Sequence, residues 1–385
     1  MLTKLKVQHY KSLFDTEIDL EPLTVFIGPN GSGKSNICEA LVVLSGFLQR
    51  FTNTDFLQKI RDNVGVTAYI KEFFSQSLQS ISKNQPSIES KFWHGKLDFL
   101  FFTVITLKEN MSESSKLVEL SVSFNYQQQN IVINLLENGV NKLKVEDSWL
   151  YPLKNLVSND YPDSPVADDL RKICIYDFAP FNLSNESTST VSMERTGEGI
   201  AYALADILFS NRKSFDELEE RLRILVPNIQ RIALLRGENQ TFSLQLVDKY
   251  SEHPIPASDI SDGTLRILAF LAALYQEDTP SIICFEEIEN GVHPWLLHKM
   301  MELLKLVSTE GITGKPVQVL ITTHSPTLLN YIEPHQVRAV ELDNEGKTQV
   351  HNLPTDSVRF QKALEAYDGS LGELWFTNQF GGNPA

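Results

Sequence analysis

The spacing of apolar positions divides the chain into recognisable runs before any motif is considered. Residues 3–9 alternate, with Leu5 and Val7 between Lys4, Lys6 and Gln8, which predicts a half-buried strand, and residues 16–20 predict a second. Leu23-Thr24-Val25-Phe26-Ile27 is apolar or β-branched throughout, the pattern of a strand covered on both faces. After a polar, glycine-containing octet, residues 36–48 are apolar at helical spacing. Ser, Gln and Asn then dominate residues 51–90, with helical stretches at 55–61 and 67–78, which predicts an inserted helical segment. Strand patterns return at 97–107, 117–126 and 131–136, ending on the turn signal Glu137-Asn138-Gly139, and predict an antiparallel meander.

Pro152, Pro162 and Pro165 mark residues 151–169 as a connection into an apolar strand at 173–178, predicted to rejoin the central sheet. Residues 197–209 and 214–225 read as a helix pair. Ser214 followed three residues later by Glu217 predicts a capping box on the second helix. A hairpin over 232–235 and 241–247 follows. No repeat of fixed period and no heptad run long enough for a coiled-coil arm is present.

The polar octet is Gly28-Pro29-Asn30-Gly31-Ser32-Gly33-Lys34-Ser35, which satisfies the phosphate-loop pattern G-x-x-x-x-G-K-[ST] between strand and helix. Its glycines let successive N–H groups turn toward phosphate oxygens, and the helix that follows aims its positive end at them. Lys34 is expected to reach the β- and γ-phosphates of ATP, and Ser35 to ligate Mg²⁺.

Charge and cysteines narrow the class. The 385 residues carry 49 acidic against 34 basic side chains, a formal net charge of −15 that argues against coating nucleic acid through an overall field. Cys38, Cys174 and Cys284 sit in separate apolar runs without metal or redox spacing and read as buried thiols. With no signal-peptide pattern at the N-terminus and no apolar run of membrane-spanning length, the reading is a cytoplasmic protein with no membrane partner.

A phosphate loop alone fits kinases, GTPases and many ATPases, so downstream motifs decide. Ser261-Asp262-Gly263-Thr264 precedes a helical run at 265–275; the serine and the close-approach glycine can hold an anion, or the serine can be an ordinary cap. Ser281-Ile282-Ile283-Cys284-Phe285-Glu286-Glu287 is a buried strand ending in two acids, one placed to support Mg²⁺ and the other to act as general base. Residues 317–323 form another such strand, followed by His324-Ser325-Pro326, whose imidazole can meet the γ-phosphate or the attacking water.

In this order, GPNGSGKS, SDGT, ICFEE, Glu289-Asn290-Gly291-Val292-His293-Pro294 and TTHSP resemble the Walker A, signature, Walker B, D-loop and histidine switch of ABC-type ATPases. More closely, the chain resembles the RecF, SMC and OLD-like branch of predicted AAA-family ATPases, as a single-chain head without long arms; the closing Leu371-Gly372-Glu373-Leu374-Trp375 shares that likeness. The resemblance implies an α/β P-loop NTPase of ABC-head type, with a central mixed sheet, a flanking antiparallel meander and a helical lobe. The core would comprise residues 1–50 and 171–350, with the signature lobe at about 185–275, the insertion at 51–170 and a tail at 351–385.

It also implies roles. Asn30, Gly31, Ser32, Gly33, Lys34, Ser35 and Asn36 would cradle ATP, with Lys11 and Ser12 near its phosphates or base. Ser35 and Glu286 would hold Mg²⁺, Glu287 would be the base, His324 the switch and Lys34 a catalytic cation. Ser261 and Gly263 would act in trans on the ATP of a second head, making a homodimer the minimal unit and a higher oligomer an extension of it. Two departures stand out: Glu286 occupies a position usually held by Asp, and SDGT replaces LSGGQ. No Q-loop glutamine is assigned. The expected function is an ATP-binding and hydrolysing switch in DNA maintenance or phage defence; the alternative is an ATP-gated sensor or scaffold that regulates a separate effector. A phosphate-loop kinase would need an acceptor site that these motifs do not supply.

Overall fold

The computed structural model describes residues 1–51, 98–108, 115–125, 131–137, 140–144, 172–188, 193–250, 253–276, 278–312 and 314–382. The helical stretches predicted at 55–61 and 67–78 and the connection predicted at 151–169 lie outside these residues. In chain order the first strands are β1 (Leu2–Tyr10), β2 (Leu13–Asp19) and β3 (Leu23–Ile27), followed by helix α1 (Lys34–Phe51). Then come β4 (Asp98–Lys108), β5 (Ser115–Asn125), β6 (Ile131–Glu137), β7 (Val140–Lys144) and β8 (Ile173–Tyr176). The short α2 (Pro180–Leu183) and β9 (Ser187–Thr188) lead into helices α3 (Ile200–Ser210) and α4 (Arg212–Leu225).

Strands β10 (Ile229–Arg236), β11 (Thr241–Asp248) and β12 (Pro254–Pro256) precede α5 (Asp262–Tyr275). The chain continues through β13 (Ile282–Glu286), α6 (Pro294–Thr309), β14 (Gln318–Thr323) and α7 (Pro326–Leu329). It closes with β15 (Val337–Leu342), β16 (Thr348–Asn352), α8 (Val358–Ala366) and α9 (Leu371–Phe376).

The central sheet runs β16-β15-β3-β14-β13-β8. Its inner strands are parallel, and only β16 at the edge is antiparallel. Every residue of β3, β13 and β14 is buried, as continuous apolar runs require of strands covered on both faces. Parallel pairing brings the carboxyl ends of β3, β13 and β14 to one edge of the sheet, where crevices for ligands form in open α/β sheets. The phosphate loop, the acid pair and the histidine therefore share that edge because of strand register, although they are far apart in sequence.

A second sheet, β2-β1-β4-β5-β6-β7, is antiparallel throughout. The predicted meander is thus present, and it extends the β1–β2 hairpin instead of standing alone. Buried Gln318 at the start of β14 ties this sheet to the central one, accepting from Leu2 N at 2.8 Å and donating to Leu2 O at 2.6 Å. A third sheet of β10, β11, β12 and β9 packs with α3, α4 and α5 as the helical lobe.

The lobe's apolar faces join the central sheet in one continuous core, in which the Phe270 and Phe285 rings meet at 5.2 Å. Each large side chain fully buried there contributes about 1.5–3 kcal/mol. The predicted capping of α4 is corrected by one detail: the cap is Asn211, whose side chain accepts from Ser214 N. The helix starts before Ser214 because Asn211 can make that same contact one turn earlier.

Candidate functional site

The phosphate loop is shaped by its glycines. Gly31 and Gly33 have φ of 79° and 100°, a region side chains disfavour, and a Cβ on Gly33 would lie 2.0 Å from Thr348 Oγ1 and 2.7 Å from Ser12 Oγ. Those hydroxyls are 2.7 Å apart, Asn36 Nδ2 donates to Ser12 Oγ at 2.7 Å, and Thr348 Oγ1 donates to Ser32 O at 2.9 Å. The β1–β2 turn, the loop and the start of β16 are thus stitched into one wall. Asn30, Gly31 and Ser35 are exposed, whereas Ser32 is buried and its Oγ has no hydrogen-bond partner.

Lys34 is buried and donates from Nζ to Gly28 O and Pro29 O, at 2.8 Å each. Its ammonium spans the loop's mouth. Burial lowers its pKa, opposed by the negative charges of Glu287, Glu289 and Glu286. All three acids therefore lie within electrostatic range of the lysine.

Glu286 ends β13 with its side chain only 6% exposed. Burial raises its pKa, and Arg195 and the Ser35 hydroxyl oppose that rise. Arg195 NH2 pairs with Oε2, while Oε1 is buried without a hydrogen-bond partner. An orphaned carboxylate oxygen beside Ser35, at the helix start below the loop, is a donor set suited to a hard divalent cation with its waters. The same guanidinium reaches Glu39 of α1 at 3.1 Å, and Glu39 also pairs with Lys11, so Lys11, Glu39, Arg195 and Glu286 form an alternating-charge ladder. The two acids hold the Arg195 pKa above its usual value despite its burial.

Glu287 adopts φ of 47°, a left-handed conformation that costs a non-glycine residue about 1–3 kcal/mol. Its N–H donates to Thr322 O, and its Oε2 accepts from Asn290 Nδ2 at 2.7 Å. His324 Nδ1 lies 3.4 Å from Glu287 Oε1 and 3.9 Å from Glu289 Oε1. At the sheet edge Glu287 is half-buried and His324 exposed, so both are open to water, as a pair that handles a water proton must be.

At the lobe's base, Ser261 Oγ caps α5, accepting from Thr264 N at 3.3 Å. A Cβ on Gly263 would stand 2.3 Å from Gly291 O, so close packing of α5 on the loop after β13 already demands this glycine. Ser261 and Asp262 are exposed. The described residues bring Lys11, Ser12, Asn36, the phosphate loop, Glu286, Glu287 and His324 together, and leave Ser261 and Gly263 on the lobe without contact to that loop.

Sequence reasoning missed Glu39, Arg195 and Thr348, which lie outside any motif, and it left Glu289 within a quoted segment but without a role. Only tertiary packing reveals the first group. For the last, a third acid two residues after the acid pair was the readable signal, while its burial is a feature of the fold.

Among the described residues no helix is long and apolar enough to cross a membrane, and no cluster of His, Cys, Asp and Glu forms a preassembled metal cage. The family model described as "AAA domain, putative AbiEii toxin, Type IV TA system" matches residues 23–330. An ATP/GTP phosphatase of Helicobacter pylori is 24% identical over 98% of this chain and 99% of its own. An OLD nuclease of Thermus scotoductus is 41% identical over 46 residues, 12% of this chain and 9% of its own. Among solved structures, an Smc head bound to the C-winged helix domain of ScpA has a TM-score of 0.55 at 13% identity, covering 92% of this chain and 98% of that one. A second Smc head, with an extended coiled coil and bound to the C-terminal domain of ScpA from Pyrococcus furiosus, has a TM-score of 0.52 at 13% identity, covering 95% and 99%. The expected P-loop ATPase head fold is the fold observed.

Proposed function

Because the chain belongs to this family of AAA domains, built on an SMC-type ATPase head, we propose that it is a slow ATPase whose heads close in pairs around ATP and Mg²⁺. The observation that carries this reading is the convergence of Lys34, Glu286, Glu287 and His324 on one edge of the central sheet, with the Glu287–His324 pair at 3.4 Å. Glu287 takes a proton from water as the water oxygen bonds to the γ-phosphorus; the bond to the β–γ bridging oxygen breaks and ADP leaves. Lys34 offsets the charge that builds on that oxygen. The loop glycines and Asn36 orient the phosphates, and Lys11 and Ser12 bound the far side of the cradle. Ser35 and Glu286 would hold Mg²⁺, which supplies charge neutralisation on the β- and γ-phosphates. Glu286, one methylene longer than an aspartate and paired with Arg195, would be a less favourable ligand for that ion, which accounts for a slow turnover.

In the closed pair, Ser261 and Gly263 of one head face the γ-phosphate held by the other, and ATP favours this state because it contacts both heads. The exposure of Ser261 and Asp262 supports that placement. The name of the H. pylori relative supports nucleoside triphosphate hydrolysis and makes GTP a second substrate to test. The protein acts in the cytoplasm as a defence or DNA-maintenance switch. A net charge of −15 favours a second reading, in which ATP gates a separate effector protein and nucleic acid is not gripped directly.

Phosphate release by wild type, Lys34→Ala and Glu287→Gln, paired with fluorescent-ATP binding, tests hydrolysis. The expected outcome is turnover in wild type only, with ATP bound by Glu287→Gln and lost in Lys34→Ala. Wild-type turnover retained by Glu287→Gln would remove the glutamate from its role.

A further inference from the structure

Three carboxylates act on Lys34 through their charge, yet the proposed hydrolysis uses only Glu286 and Glu287. The third, Glu289, has a side chain 8% exposed. Its Oε1 accepts from Thr323 Oγ1 at 2.5 Å and from His324 N at 3.2 Å, and Thr323 Oγ1 in turn accepts from Ser325 N at 2.9 Å. Its Oε2 is buried without a hydrogen-bond partner. A buried carboxylate is costly unless its contacts repay it, so this arrangement concentrates that cost at the end of β14. The contacts clamp the backbone of residues 323–325, the turn that carries the imidazole.

We infer that Glu289 is a positioning residue for His324: it pins the histidine turn and, with Glu287, draws the Nδ1 edge of the ring toward the acids, leaving Nε2 as the nitrogen available to the nucleotide. Nδ1 lies 3.4 Å from Glu287 and 3.9 Å from Glu289, within ion-pair reach of both. Two carboxylates beside Nδ1 favour the tautomer that carries its N–H there, because an N–H meets negative charge and a lone pair there meets repulsion. In the neutral ring Nε2 then carries the lone pair. His324 accordingly accepts a hydrogen bond from the attacking water, and donates to a phosphate oxygen only as imidazolium. Glu287 is part-exposed, whereas Glu289 is enclosed and holds its place. The two acids thus divide the work, Glu287 as base and Glu289 as orienter of the imidazole.

This inference rests on the hydrolytic reading, and its test separates the two. Glu289→Gln keeps an oxygen for Thr323 and His324 N but removes the charge. In histidine-labelled protein without nucleotide, with the His324 resonance assigned by His324→Gln, the imidazole nitrogens should report the Nδ1-protonated ring in wild type and a shift toward the Nε2-protonated ring in Glu289→Gln. Turnover should fall about tenfold to hundredfold, the scale seen when an orienting partner is removed, with KM for ATP within about twofold. Thr323→Val, which releases the same carboxylate without changing side-chain shape, should slow turnover in the same direction. An unchanged imidazole spectrum in Glu289→Gln overturns the inference, as does a loss of turnover that only tracks a lowered melting temperature. If wild type proves not to hydrolyse ATP, the hydrolytic reading fails while the nucleotide-free spectrum still decides the role of Glu289.

Discussion

Arg195→Met should carry a stability effect traceable to individual contacts. It removes a guanidinium, 20% exposed, lying between Glu39 and Glu286, whose side chains are 8% and 6% exposed. Removing one partner of a buried pair costs about 3–5 kcal/mol, because the remaining charge is left uncompensated. Lys11 still pairs with Glu39, so the uncompensated group is chiefly Glu286, and the expected loss is about 3 kcal/mol. That corresponds to about a hundredfold in the folding equilibrium.

Urea unfolding followed by tryptophan fluorescence measures it. The double variant Arg195→Met/Glu286→Gln should recover more than half, since it removes the stranded charge. The deficit should also depend on pH. Burial already raises the Glu286 pKa, and without Arg195 that rise grows. A carboxyl whose folded pKa stands above its unfolded value binds its proton first in the folded state. Stability is therefore gained as pH falls through the raised value toward the ordinary carboxylate range, and Arg195→Met should approach wild type there. A deficit below about 1 kcal/mol near neutral pH, or one that grows on acidification, would refute this account of the ladder.

Other substitutions probe separate parts of the account. Gly263→Ala places a Cβ 2.3 Å from Gly291 O and should force α5 off the loop after β13, at a cost of about 1–3 kcal/mol in melting experiments and with slowed phosphate release. Asn211→Ala should cost about 1 kcal/mol, whereas Ser214→Ala should cost little, by thermal melting of the two variants side by side. Gly33→Ala should abolish ATP binding in a fluorescence titration, since its Cβ would meet Thr348 and Ser12 in a conformation alanine disfavours.

How much of this was readable in the chain follows from how local each signal is. The strands β3, β13 and β14 announce themselves because burial on both faces demands an unbroken apolar run, and each bears its chemistry at its carboxyl end. The edge they share follows from parallel register. By contrast, the joining of β1 and β2 to the meander depends on pairing Leu5 with Ile105, a contact that no window of sequence contains. Thr348 closes on the phosphate loop from the far edge strand, and its threonine is unremarkable in sequence. Arg195 lies in a turn between elements, where only its two buried acids reveal a function. The cap of α4 differs from the expected one because Asn211 and Ser214 both suit a cap, and Asn211 makes the contact one turn earlier. Gly263 was noticed as an approach point for a ligand, while its immediate neighbour is the chain's own Gly291.

The central claim is that ATP holds two heads together until Glu287 directs its hydrolysis. Its most direct test is the solution mass of Glu287→Gln with and without Mg²⁺ and ATP. The account predicts one chain of 43.6 kDa without nucleotide and a doubling of mass with it, reversed by the further substitution Ser261→Arg, which blocks the trans contact. An unchanged mass with ATP demonstrably bound would contradict the nucleotide-gated sandwich and remove Ser261 and Gly263 from the site.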